Sequence, residues 1–330
     1  MLDDQQEIGG YFEFSLPNLK QFPYPQALKY ISARSAFLDL LDQNSIKKVW
    51  MPKFICDSMI EPLLILDIDI RYYDLDENFY PKIPSYLESD AYLVYVNYFG
   101  LCTTVQKKLL SIYPSNQIIF DHSQAFFVKP FDCFATIYSL RKFLPVAEGG
   151  LLISKSLINA NHSVRDLESM IQQYHHCFVR RLSNGSRAYE IFKNNEVLLN
   201  NCIPKNISGI TEEIINCVDY ASTQSQRLDN FKFLHTELVS INKLEIDIDS
   251  IESPLTYPLL LEGNISKELI EGSVYTPTYW FDSLQRLDVD SFEYKFISNT
   301  THIVCDQRYS CEHMQFQVDK IMDIYCEYKR

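Results

Sequence analysis

Three short segments of this chain carry residue types that could meet at one ligand. Lys142 lies in SLRKFLPVAEGG (139–150), just past a β-rich run ending in Ser139. The carboxyl ends of strands are where α/β sheets place their ligands, and an amine there can condense with an aldehyde. Gly149 and Gly150 follow, one of only two GG pairs in a chain with 9 glycines, so this turn needs backbone freedom that other residues lack. Asp121 ends the apolar run of QIIFDHSQAFF (117–127), which puts a partly desolvated carboxylate at a strand end. Such a group needs a cation or hydrogen-bond donors, and a protonated ring nitrogen would serve. Gln124 stands one turn further on. In SARSAFLDLL (32–41), serines and Arg34 precede the apolar spacing Phe37, Leu38, Leu41, which marks a helix start. Free N–H groups, the positive end of the helix dipole and an arginine fork suit a phosphate. Each segment also has a plainer use: a solvated loop lysine, an aspartate capping a following helix, a serine-capped helix with an exposed arginine.

The elements that must position these residues follow from the apolar patterning. From about residue 45 to 155, β-rich runs alternate with helical stretches: KKVWMP (47–52), DIDIRYYD (67–74), AYLVYVNYF (91–99), VQKKLLSIY (105–113), QIIFD (117–121), CFATIYS (133–139) and GGLLISK (149–155). QIIFD and YLVYV are too continuously apolar for one-sided strands, which predicts a mostly parallel sheet covered on both faces, an α/β core. Residues 163–200 and 211–243 are long and polar, with apolar residues at helical spacing, and the second carries the chain out of the large domain. The remainder, from about 244, reads as strand, helix, strand and terminal helix, enough for a small α+β domain. The expected division is a large domain over 1–225 and a small C-terminal domain over 226–330, entered by a long helix.

Composition narrows the partners. The chain has 330 residues, a net charge of −13, and 22 Tyr, 21 Phe and 2 Trp against its few glycines. That excludes collagen-like and low-complexity chains and a glycine-rich phosphate loop, and the acidity disfavours nucleic acid, whose binding is driven by Lys and Arg. No basic start leads into an apolar stretch, and no run approaches the roughly 20 apolar residues that span a bilayer, so neither a signal peptide nor membrane insertion is expected. The 9 cysteines, odd in number and scattered, fit a reducing cytoplasm. His302, Cys305, Cys311 and His313 are zinc-ligand types, but their spacing fits no common finger, and no metal is expected.

The three plainer uses are independent, whereas the ligand uses converge. An anion site, a carboxylate for a pyridinium and a lysine for an aldehyde together describe pyridoxal 5'-phosphate (PLP). With that cofactor in view the chain resembles the DegT/StrS-type aminotransferases of the fold-type I, aspartate aminotransferase-like PLP enzymes. The resemblance is carried by SARSAF at the helix start, Pro52, Phe54 and Cys56 in MPKFICDSM, DHSQA at 121–125, and Lys142 followed by AEGG. Later, QRLDNFKFL (226–234) resembles the family's R-x-x-N-x-x-x-L helix, and TPTYW (276–280) resembles its segment ending in Trp.

The resemblance implies a mostly parallel central sheet flanked by helices plus a small C-terminal domain, and gives residues their roles. Lys142 would bind PLP covalently and later shuttle a proton, and Asp121 would keep the ring nitrogen protonated. Gln124 would lie near the phenolic oxygen, while Arg34, Ser35 and Ser139 would hold the phosphate. Phe54 would stack on the ring, with Tyr98 or Phe99 as alternatives. It implies an aminotransferase working as a homodimer, with an amino-acid donor such as glutamate and a keto sugar, free or nucleotide-linked, as acceptor for surface polysaccharide. Related sugar dehydratases place histidine where Lys142 stands, which favours transamination. Departures from the family pattern are Ser139-Leu-Arg-Lys142 in place of S-F-x-x-x-K, which brings in Arg141, and NISGITEE in place of an N-Y-R-type element. They keep open a binding or regulatory protein of the same fold, or a PLP enzyme performing elimination or dehydration.

Overall fold

The computed structural model describes residues 11, 15–19, 21–199 and 202–328, so the first ten residues of the expected large domain lie outside it. The chain runs β1 (Leu28–Tyr30), α1 (Ala33–Gln43), β2 (Lys48–Pro52), α2 (Asp57–Ile65), β3 (Asp69–Tyr73), β4 (Ala91–Val96), α3 (Thr103–Ile112), β5 (Ile118–His122), β6 (Ala135–Ser139) and β7 (Gly150–Ser154). These strands form one seven-stranded sheet among the described residues, in the order β1-β7-β6-β5-β4-β2-β3. The pairings from β3 through β2, β4 and β5 to β6 are parallel. Strand β7 is antiparallel to both β6 and β1. Every residue of β5 and β6 is buried, as two-sided coverage of a parallel sheet requires. The mostly parallel α/β sheet expected from the apolar runs is therefore the fold. The reversal of β7 is new, and a short turn after β6 explains it, since parallel neighbours would need a crossover.

The two long helical stretches are each divided. Residues 163–200 become α4 (Leu167–Leu182) and α5 (Gly185–Leu198), broken where Asn184 takes the N–H of Arg187 as an N-cap. Residues 211–243 become α6 (Gly209–Asn216) and α7 (Tyr220–Leu238), with Asp219 capping the second through the N–H of Ser222. Asn and Asp stop and restart helices because their side chains compete for backbone donors. Then come β8 (Thr256–Leu260), α8 (Ser266–Glu271), α9 (Phe292–Asn299), β9 (Thr300–Val304) and α10 (Cys311–Tyr328). Strands β8 and β9 pair antiparallel as a second sheet. Its core joins Phe231, Leu234 and Leu238 of α7 to Tyr257, Leu259, Ile303 and Met314. Trp280, Phe296 and Ile297, late in the chain, pack instead into the core of the main sheet. No helix among the described residues is long and apolar enough to cross a membrane.

Candidate active site

Strand register brings the chemistry to one end of the sheet. Asp121 pairs with Val96 on one side and Ile137 on the other, and Ser139 at the end of β6 pairs with Gly150. Asp121 is 2% exposed, and its carboxylate accepts from the N–H of Ser123 at 2.7 Å. No helix follows β5, so Asp121 does not serve as a helix cap. Burial pushes its carboxyl pKa up, while Ser123 and the positive charge of Lys142 hold it down.

Lys142 closes a 3-10 turn, Leu140–Lys142, directly after β6. Its amine makes no hydrogen bond among the described residues. Burial pushes its pKa below the usual lysine range; Cys56 and Asp121 pull it back up, and Arg141 pushes it further down. The Cys56 thiol is raised by burial, lowered by Lys142 and raised by Asp121. The charges of Lys142, Asp121 and Cys56 thus act on one another.

The turn that carries Lys142 is anchored on both sides. Gly149 has φ +132°, and a Cβ there would meet Leu140 Cδ1 at 2.7 Å. Gly150 is needed for a different reason: a Cβ on it would stand 2.2 Å from the backbone of Ser32, so β7 presses against the start of α1. Between them and the lysine, Glu148 is 1% exposed and accepts from the N–H of Ser208, at 2.6 Å, and the hydroxyl of Thr211, at 2.8 Å. Glu148 ties the loop to α6, a role the AEGG motif alone did not disclose.

Gln124 is fully buried. Its Oε1 accepts the N–H of Phe99 at 2.8 Å, whereas its Nε2 has no partner. Buried amide nitrogens are rarely left so, and an orphan beside Asp121 marks a place for an acceptor. Phe99 itself takes φ +55° and Gly100 φ +80°, a backbone conformation costly for a bulky residue. Phe54 is 1% exposed, stacked on Tyr98 at 5.3 Å and 6° between ring planes, with the edge of Trp280 at 4.9 Å. Burial raises the Tyr98 phenol well above its usual range, and the charges of Tyr73, Cys102, Glu293 and Asp121 add to the rise.

The anion-binding candidates lie at the start of α1. Ser32 is the N-cap and takes the N–H of Ser35, whose own hydroxyl lies 3.0 Å from that of Ser32. Gly150, paired with Ser139, abuts the same backbone, so Ser35 and Ser139 approach one region. Arg34 is already engaged there: it donates to Glu61 of α2 at 2.9 Å and to the carbonyl of Leu199 at 3.5 Å. Arg141 similarly pairs with Glu196 of α5, and burial lowers its pKa to about 10.

No family model matches the chain, and no curated protein matches it in sequence. Solved structures do. A sugar aminotransferase of Micromonospora echinospora is 13% identical, with 90% of this chain and 87% of that one covered at a TM-score of 0.60. A DegT/DnrJ/EryC1/StrS aminotransferase of Brucella abortus is 12% identical, with coverage of 90% and 85% and a TM-score of 0.59. A Bacillus subtilis protein solved with bound PMP is 13% identical, with coverage of 90% and 72% and a TM-score of 0.56. At such identities the fold is what is shared, and this chain has the fold-type I architecture of the PLP-dependent aminotransferases.

Proposed function

We propose that the protein is a PLP-dependent aminotransferase that moves an amino group from an amino acid to a keto sugar. The observation that carries the reading is the fully buried, unpartnered Nε2 of Gln124 on the loop that follows the buried Asp121, whose carboxyl feels the charge of Lys142. These residues fit the cofactor. Burial disfavours the ionised form of the Asp121 carboxyl despite its hydrogen bonding to Ser123, and a pyridinium would supply a compensating cation. Gln124 Nε2 would donate to the phenolic oxygen, Phe54 would border the ring, and Ser35 and Ser139 would face the phosphate. Arg34 would join them by sharing its fork with Glu61. When bound, PLP supplies an electron sink for the carbon that loses a proton.

The chain's own part is to bind, orient and move that proton. Low Lys142 basicity keeps Nζ neutral in a larger fraction of molecules, ready to attack an aldehyde and later to take a proton. Asp121 holds charge at the far side of the site. The sugar acceptor is supported by fold similarity to sugar aminotransferases, an associational warrant. Glutamate as donor, a nucleotide-linked acceptor and a role in surface polysaccharide belong to the same proposal. So does a homodimer, for which α4 offers an exposed apolar row of Leu167, Ile171, Phe178 and Leu182 on one face.

Purified protein given PLP should turn yellow through attachment to a lysine, glutamate should discharge the colour, and Lys142→Ala should lose both behaviours. Protein that stays colourless in excess PLP overturns the reading. A second reading, a cofactor-holding protein without turnover, is favoured by the engagement of both Arg34 and Arg141 with glutamates. Colour that forms but resists every amine donor supports it.

A further inference from the structure

Arg227 of α7 is 2% exposed, and its guanidinium carbon lies 4.5 Å from the ring centroid of Phe143, the residue after Lys142. Its Nε donates to Gln307 Oε1 at 2.7 Å, and Gln307 Nε2 donates in turn to the Phe143 carbonyl at 2.7 Å. Phe143 is therefore held at both its ring and its backbone. Arg227 also donates to the carbonyls of Pro254 and Leu255, at 3.2 and 3.4 Å, just before β8. The N–H of Leu255 donates to Phe99, whose own N–H donates to Gln124. One buried circuit thus runs from the Lys142 turn, through the lead-in to the second sheet, to Gln124.

A cation this deep is costly unless something uses it. Cys305, Asp306 and Tyr279 favour its charge and Arg308 opposes it, but the Asp306 carboxylate is bound by Arg308 at 2.8 and 2.6 Å. Arg227 is left with neutral acceptors and an aromatic face, contacts that a planar fork can make together and an ammonium cannot. Asn230, one turn on, donates to the carbonyls of Cys305, Asp306 and Tyr309 and fixes the loop that presents Gln307.

We propose that Arg227 is a positioning residue for Lys142, through which the two-stranded sheet sets the turn carrying the amine. The proposal rests on the role given to Lys142 above. Its test needs no cofactor. Hydrogen exchange reads the amides of Phe143 and Leu144, which both donate to Leu140 at 3.0 and 2.9 Å. Acetylation across a pH series, followed on the Lys142 peptide by mass spectrometry, reads the amine. Cys56, Asp121 and Arg141, whose charges act on Lys142, are left unchanged in the variants.

In Arg227→Met, exchange at 143 and 144 should accelerate about tenfold while β5 and β6 keep wild-type protection. The acetylation midpoint of Lys142 should rise toward that of exposed lysines, because a loosened turn lets the ammonium reach water. Arg227→Lys should recover these properties only in part. Gln307→Ala, a change at a half-buried loop residue, should give a smaller shift of the same kind and covers the case in which Arg227→Met does not fold. Wild-type exchange and midpoint in the folded variants overturn the proposal, as does acceleration spread evenly over β5 and β6. Shifted values in a protein that never takes up PLP would uphold the coupling and defeat the functional reading.

Discussion

At the scale of single residues, the site is defined by groups whose needs are unmet by the chain around them. Burial disfavours the ionised form of Asp121, Gln124 Nε2 lacks an acceptor, and Lys142 lacks a hydrogen bond among the described residues. Asp121→Asn should still attach PLP at Lys142 yet lose amino transfer by about 100-fold or more, because it can no longer hold a ring nitrogen protonated. Single-turnover kinetics with glutamate measures this, and near wild-type rates would contradict the role. Gln124→Met removes both the acceptor used by Phe99 and the free donor. It should lower stability by about 1 to 3 kcal/mol in denaturant melts, the cost of stranding a buried N–H, and should also weaken PLP binding. Lost stability with unchanged cofactor affinity would mean that Nε2 does not face the ligand.

Elements matter through the turn between β6 and β7. Gly150→Ala drives a Cβ into the backbone of Ser32 and Ala33, which cannot step aside as a flexible side chain could. It should destabilise by about 2 kcal/mol or more, whereas Gly263→Ala, with nothing within 4 Å of its added carbon, should be close to neutral. Comparison of urea midpoints decides the matter. Glu148→Ala strands the N–H of Ser208 and takes one of three partners from the hydroxyl of Thr211, and should cost about 2 kcal/mol while loosening the Lys142 loop from α6. Calorimetry of the variant, with proteolysis at 143–149 as a second measure, tests that link. The Gly pair was legible as a demand for backbone freedom, but only one of its members takes a positive φ. The other is required by close packing, a long-range fact.

For the whole molecule, buried histidines couple stability to acidity. Burial lowers both His122 and His302 to about 3. His302 packs against Phe99 at 4.5 Å and Tyr279 at 4.9 Å, which leaves an imidazolium without solvent. Since the unfolded chain binds these protons near pH 6.5 and the native one does not, their contribution is present above about 6.5 and is lost as pH falls toward 3. Each site should add a slope of about 1.4 kcal/mol per pH unit in that window, and His302→Gln should remove one such slope. Urea melts at pH 7, 6 and 5 measure it, and parallel curves for variant and wild type would refute it. The sequence by itself determined the parallel α/β core, the strand-end positions of Asp121 and Lys142, and the serine-capped start of α1. Continuous apolar runs, their abrupt polar ends and helix caps are local signals, each contained within about a dozen residues. Only the tertiary structure decided that β7 runs antiparallel, that Arg34 reaches Glu61 and Arg141 reaches Glu196, and that Arg227 grips Phe143. Those partners are distant in the chain, and no periodicity encodes them. They are chosen by which elements pack together and by the need of each buried polar group for a partner once water has been excluded.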